Sequence, residues 1–213
     1  MDKELFYELK DVLADQKYNL QFVPPAKLNR ITRKNHQGVV AFLSPVKYHN
    51  IREILPKLFE EGKVPNLLIL DRITDVRNFG AIARTASCMG VQAIIVPKKG
   101  SAHITADAVK SSAGALNVIP ICREDFISEA IDFLKNSGIQ IIACTEKADQ
   151  ELFEADLVDP SAIIMGSEED GISPEYLAKA DLRIKIPMES SIQSLNVGVA
   201  TGMVLLEKFR QSM

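Results

Sequence analysis

Leu67-Leu68-Ile69-Leu70-Asp71, followed by Gly80-Ala81-Ile82-Ala83-Arg84-Thr85-Ala86-Ser87-Cys88-Met89, is the couplet that decides the fold. Its apolar run shows no polar alternation, as expected of a strand covered on both faces, and the second stretch is a helix-forming run. The couplet recurs downstream. Strand Ala93 to Val96 precedes a helix around Ala106 to Ser112, and strand Val118 to Cys122 precedes helix Phe126 to Lys135. Strands Ile139 to Cys144 and Ser161 to Gly166 lead to a short helix from Pro174, and strand Leu182 to Ile186 leads to a last helix, Leu195 to Arg210. Buried strands alternating with helices predict an α/β fold, a parallel doubly wound sheet, over residues 63–213. Ligands of such sheets bind beyond the carboxyl ends of the strands.

Upstream the pattern is shorter. A helix from Glu4 to Gln16, a strand Leu20 to Val23 stopped by Pro24-Pro25, a helix Lys27 to Arg33, a strand Val39 to Leu43 and a helix Ile51 to Glu61 closed by Gly62 make a partial small α/β domain, residues 1–62. Residues 62–66 read as its linker. No Asp or Glu occurs from Asn19 to Gly38, while Lys27, Arg30, Arg33, Lys34 and His36 accumulate there. Such a segment can anchor RNA phosphates by counterion release, and a solvated surface face accounts for it equally well. From Glu146 to Asp170 the balance reverses, with nine acids and one lysine.

The bulk numbers exclude several classes. The 213 residues are 46% apolar and 25% charged with net charge −3, which excludes disorder as the main state. The longest apolar runs fall far short of the roughly 20 residues that span a bilayer, so a cytoplasmic protein is expected. Cys88, Cys122 and Cys144 are widely spaced, against a disulfide framework. His36, His49 and His103 lie near no cysteine at ligand spacing, and no metal is expected.

Three loops at strand ends hold the unusual polar groups. In the first, Asn78 is expected to cap the following helix, with Arg84 six residues on and close to the same face, among Ala81, Ala83, Thr85 and Ala86. A surface arginine near a helix start is the plainer account by spacing alone. The second is Gly166-Ser167-Glu168-Glu169-Asp170-Gly171, whose adjacent acids would repel a phosphate. A carboxylate there suits a hydroxyl or an amine; an exposed acidic turn is the plainer account. The third, Ile186-Pro187-Met188 to Asn196, opens the last helix with Ser194 as the expected N-cap. That helix carries the apolar stripe Leu195, Val199, Met203 and Leu206, and Gly198 and Gly202 each cost about 1 kcal/mol relative to Ala. Close approach of a partner helix explains the glycines, with packing inside one chain as the alternative.

Together the loops resemble the SpoU-type (TrmH-like) RNA ribose 2′-O-methyltransferases of the SPOUT superfamily. Asn78-x-Gly80-x-x-x-Arg84 resembles the first family motif, Ile164-Met165-Gly166-x-Glu168-x-x-Gly171 the second, and Ile186-Pro187-Met188 through Ser194-Leu195-Asn196-Val197 the third. Order and spacing agree over about Leu67 to Arg210, and the similarity is greatest to the branch that methylates a guanosine of large-subunit ribosomal RNA. The resemblance implies a carboxyl-terminal trefoil knot, a homodimer, bound S-adenosylmethionine, no metal, and an amino-terminal RNA-binding domain of ribosomal-protein-like form. Such domains open with a further helix and strand that do not appear here, so the domain is expected to be partial.

By the same resemblance Asn78, Arg84, Glu168, Ser194 and Asn196 are the catalytic set. Thr145, Gly166, Ile186, Met188 and Leu195 contact the cofactor, and Lys27, Arg30, Arg33 and Lys34 contact RNA. Family members are proposed to use the arginine as base, yet a guanidinium stays protonated, so Arg84 is better suited to stabilise the forming alkoxide. The alternatives are a tRNA ribose methyltransferase, a non-catalytic RNA-binding or ribosome-assembly factor, which should lack these polar residues, and a Rossmann-type nucleotide enzyme, which needs a glycine fingerprint absent after Asp71.

Overall fold

Strands whose every side chain is apolar need a hydrophobic layer on both sides, and the packing supplies two. The computed structural model describes residues 7, 8, 10, 20–42, 44–189 and 194–213, in two compact units, residues 1–43 and 44–213. In the second unit, strands β1 (Tyr48–His49), β2 (Asn66–Leu70), β3 (Ala93–Pro97), β4 (Ile121–Glu124), β5 (Gln140–Cys144), β6 (Gln150–Glu151), β7 (Ser161–Met165) and β8 (Leu182–Lys185) form one sheet, ordered β1-β4-β3-β2-β7-β5-β8-β6. All the pairings between these strands are parallel.

Successive residues of each central strand go to opposite layers. Leu68, Leu70, Ile94, Ile142 and Ile163 pack with Phe79, Ile82 and Ala86 of helix α3 (Val76–Cys88) and with Val204 and Leu205 of helix α7 (Val197–Gln211). Leu67, Ile69, Ile95, Ile141 and Ile164 pack with Ile51, Leu55 and Leu58 of helix α2 (Ile51–Glu60) and with Ile127, Ile131 and Leu134 of helix α5 (Ile127–Asn136). Helices α4 (Ala106–Ser111) and α6 (Pro174–Lys179) complete the unit. The parallel, doubly wound reading therefore holds.

In the first unit, helix α1 (Pro25–Ile31) begins with Pro25, whose missing N–H costs nothing in a first turn, and buries no residue. Tyr7, Glu8 and Lys10 are helical; the rest of the expected Glu4 to Gln16 helix lies outside the described residues. The expected strands Leu20 to Val23 and Val39 to Leu43 do not form over their described residues, Leu43 lying outside them. Phe22 and Phe42 are 77% and 81% exposed, so these short apolar runs do not supply the buried face that the strand reading assumes.

The expected boundary after Gly62 is also corrected. Tyr48 and His49 pair with Ile121 and Cys122, and α2 buries its apolar face on the sheet. The Glu124 carboxylate accepts from the Ile51 amide at 3.0 Å and from Arg52 at 3.3 Å. Residues 44–62 thus belong to the second unit, because amphipathicity says that a helix has a buried face and not which core receives it.

Candidate active site

The strand order turns at β2 and β7. From β2 the chain proceeds to β3 on one side, while from β7 it proceeds to β8 on the other, and the loops beyond their carboxyl ends diverge around a crevice. Asp71, at the end of β2, is 1% exposed. Its Oδ2 accepts the Ser173 amide at 2.6 Å and its Oδ1 accepts Arg72 Nε at 3.3 Å, so the β2 and β7 loops are tied together beneath the crevice.

Helix α3 is capped by Asp75, whose carboxylate accepts from the Arg77 and Asn78 amides at 2.8 and 2.7 Å. Asn78 is therefore not the expected cap; it lies in the first turn, which frees its side chain. Asn78 Nδ2 donates to Glu168 Oε1 at 3.1 Å. Asn196 Nδ2 donates to the same oxygen at 2.7 Å and to Asn78 Oδ1 at 3.1 Å. The three loops thus converge on one cluster. Asn196, rather than Ser194, caps α7, its Oδ1 accepting from the Gly198 and Val199 amides at 3.0 and 3.3 Å. A carboxamide accepts for the cap and donates to Glu168 at once, with two N–H bonds that a serine hydroxyl lacks.

Two cavities flank the cluster. The first, about 340 Å³, is lined by Thr145, Gly166, Ile186, Met188, Ser194 and Leu195, together with Cys144, Met165 and the 167–171 turn. It contains every residue assigned to the cofactor from sequence. A Cβ on Gly166 would lie 2.1 Å from the Gly171 carbonyl carbon and 2.3 Å from the Ile172 nitrogen, so the turn folds back on a backbone that tolerates no side chain. Burial, and secondarily Glu146, push the Cys144 thiol up to about 12, leaving it a neutral wall. The second cavity, about 320 Å³, is lined by Arg72 to Asp75, Asn78 and Gly100. Both include Ser167, Glu168, Glu169, Asp170 and Val197, which form the partition between them.

Arg84 is not drawn in. Six residues at 100° each place it about 120° from Asn78, not on the same face. It is exposed and makes no hydrogen bond or ion pair among the described residues. Lys27, Arg30, Arg33 and Lys34 are likewise exposed and without ion pairs among the described residues. Gly198 and Gly202 face α3: added Cβ atoms would lie 3.9 Å from Ala81 Cβ and 3.6 Å from Thr85 Cγ2. They serve packing within the chain, whereas Val199, Met203 and Leu206 of the stripe turn outward, 50%, 42% and 57% exposed. Sequence motifs do not single out Asp71 and Arg72 as site residues, although an Asp-Arg pair directly after a buried strand is a visible signal.

Among the described residues no group of three or more His, Cys, Asp or Glu is placed to hold a metal, and no helix is long and apolar enough to cross a membrane. A family model described as the SpoU rRNA methylase family matches residues 65–206, and one described as RNA 2′-O ribose methyltransferase substrate binding matches residues 2–49. A Staphylococcus epidermidis protein assigned to the TrmH family of tRNA/rRNA methyltransferases is 35% identical over 209 residues, covering 96% of this chain and 83% of that protein. The SpoU methyltransferase AviRb of Streptomyces viridochromogenes, crystallised with AdoMet, is similar with TM-score 0.65 and 28% identity, over 69% of this chain and 60% of that one. The TrmH/SpoU tRNA modifying enzyme of A. aeolicus gives TM-score 0.64 and 31% identity over 76% and 83%. The chain thus spans less than two thirds of the AviRb chain.

Proposed function

The chain belongs to the SpoU rRNA methylase family, a class of S-adenosylmethionine-dependent RNA methyltransferases, and from that premise we propose that it methylates a ribose 2′-hydroxyl in RNA, with a guanosine of large-subunit ribosomal RNA as target. The observation that carries the reading is the Asn78–Glu168–Asn196 cluster in the partition between two cavities. The first cavity suits a cationic cofactor, and the second is assigned to the sugar of the target nucleotide, its phosphates lying away from the acids of the turn, so the partition is where a methyl group would pass.

The first cavity fits S-adenosylmethionine. Met165, Ile186, Leu195 and Ala200 offer apolar walls for a base, and the carboxylates of Glu146 and residues 168–170, against the cation of Lys147, suit positive charge. When bound, the cofactor supplies an electrophilic methyl group on a sulfonium. The protein's task is alignment and charge. Glu168 accepts the Asn78 and Asn196 amides and the Val197 N–H at Oε1, and its Oε2 accepts no hydrogen bond among the described residues. We assign Oε2 to accept the proton of the ribose hydroxyl; Arg84, which lines neither cavity, is assigned by its place in the first motif to the target ribose and its phosphate, stabilising the forming alkoxide. Ser194, exposed at the cavity rim, completes the set.

The carboxyl-terminal trefoil knot is part of this reading. In its support, β8 inserts between β5 and β6, both of which precede it in the chain. Lys27, Arg30, Arg33 and Lys34 are assigned to RNA in an amino-terminal substrate-binding region, in line with the match to residues 2–49. A homodimer is assigned to the exposed stripe of α7, and the cytoplasm to the protein's location. Met203→Glu and Leu206→Glu are expected to keep the fold and shift sedimentation from dimer to monomer, since a charge at an apolar contact is left without water or partner. Sedimentation identical to wild type in both would move the interface elsewhere.

Labelled S-adenosylmethionine with ribosomal RNA lacking the modification, followed by nucleoside analysis, tests the reaction. Label is expected in 2′-O-methylguanosine. Label only in transfer RNA, the substrate class named for the A. aeolicus relative, would replace the substrate, and label on a base would overturn the reaction.

A further inference from the structure

We propose that Arg72 is a positioning residue for methyl transfer: its side chain fixes the 167–171 turn, and through it Glu168, against the end of β2. The inference rests on the proposed methyltransferase reading and adds a residue that none of the three motifs contains.

Arg72 has φ +58°, the left-handed region that a non-glycine residue with a long side chain seldom occupies. An outlier of this kind persists where surrounding contacts over-determine it, and those contacts are present. Arg72 Nη1 donates to Asp170 Oδ2 at 2.8 Å, Nη2 to the Gly171 carbonyl at 3.1 Å, and Nε to Asp71 Oδ1 at 3.3 Å. One planar fork therefore spans the end of β2 and the far end of the turn, a geometry a lysine ammonium does not reproduce.

The turn transmits that hold. Ser167 and Gly171 exchange backbone hydrogen bonds, Ser167 N to Gly171 O at 3.1 Å and Gly171 N to Ser167 O at 3.0 Å, with Glu168 between them. Gly171 O thus serves both Arg72 and the turn itself. Arg72 also lines the second cavity while remaining outside the first, so it acts on the partition from the nucleotide side. Its charge offsets Asp170 in a run of three acids that an RNA phosphate would otherwise meet unscreened.

The left-handed φ supplies an unusual control. Glycine is at ease there, so Arg72→Gly removes the guanidinium while relieving the backbone. Arg72→Gly, Arg72→Lys and Asp170→Asn are to be compared with wild type for kcat with saturating RNA and cofactor, for cofactor Kd and for thermal midpoint. Arg72→Gly is expected to lower kcat about 10- to 100-fold with an unchanged or raised midpoint, since misplacing a reacting group by about 1 Å costs up to about 10²-fold. Cofactor Kd should move by less than about threefold, Arg72→Lys should recover part of the loss, and the Arg72→Gly/Asp170→Asn double variant should be little slower than Arg72→Gly, because the Arg72–Asp170 contact is already gone in the single variant. Wild-type kcat in Arg72→Gly, or a loss accompanied by a lowered midpoint or an equal loss of cofactor binding, overturns the proposal while leaving the reaction intact. A wild-type protein that transfers no methyl group to RNA removes both together.

Discussion

Arg84→Ala is expected to lower methyl transfer by about 10²–10³ while leaving cofactor affinity and fold stability unchanged. The magnitude is that of losing one charge that meets a developing oxyanion and little in the ground state. The absence of any stability cost follows from the structure: the side chain is exposed and makes no hydrogen bond or ion pair among the described residues, so its truncation leaves nothing unsatisfied. Surface changes of this kind stay within about 0.5 kcal/mol. Arg84 also lies outside the lining of the cavity assigned to S-adenosylmethionine, which is why cofactor titration should not register it. Single-turnover rates with saturating RNA, isothermal titration with cofactor and a thermal melt separate the three quantities. Loss of cofactor binding in parallel with rate would assign Arg84 a structural role instead.

Glu168 should show the opposite pattern of dependence, because it holds two loops as well as facing both cavities. Glu168→Ala removes the acceptor of the Asn78, Asn196 and Val197 donors at once. The Asn78 and Asn196 carboxamides, half-buried and exposed respectively, can be re-solvated, while the N–H of buried Val197 makes only a long 3.4 Å contact, so the stability cost is expected at about 1 kcal/mol. The rate should fall by about 10²–10⁴, the range of a lost proton-accepting group. Glu168→Gln separates charge from scaffold: its amide oxygen can still accept from Asn78 and Asn196, yet it takes no proton. A rate as low as that of the alanine variant, with the midpoint restored, is the outcome expected of the assignment to the ribose hydroxyl. Near-wild-type activity in the glutamine variant would reduce Glu168 to a strut.

The two variants probe residues of very different legibility. Glu168 was conspicuous in sequence as a carboxylate in a glycine-bounded turn after an apolar strand, and its partners Asn78 and Asn196 sat in the other strand-end loops. Their mutual contact was not visible, since Asn196 and Asn78 are 118 positions apart and no local pattern encodes that encounter. The first-turn position of Asn78 and the cap role of Asn196 are not legible in the sequence either. Asp75, Asn78, Ser194 and Asn196 are all competent capping residues, and which one caps depends on what else competes for its side chain.

The type and order of the longer elements in the second unit, the burial of its central strands on both faces and the placement of the polar motifs at strand ends were determined by sequence alone, because each is a local consequence of apolar periodicity and turn chemistry; the two-residue strands β1 and β6 were not, since two residues carry no periodicity. Tertiary structure decided the rest. It brought β2 beside β7 so that their loops share one crevice, assigned α2 to the sheet, and turned Gly198 and Gly202 toward α3 while leaving Val199, Met203 and Leu206 outside. It also drew Arg72 into a strained conformation against Asp71, Asp170 and Gly171. Each of these is a choice among partners of equal local merit, and only the simultaneous packing of the whole chain ranks them.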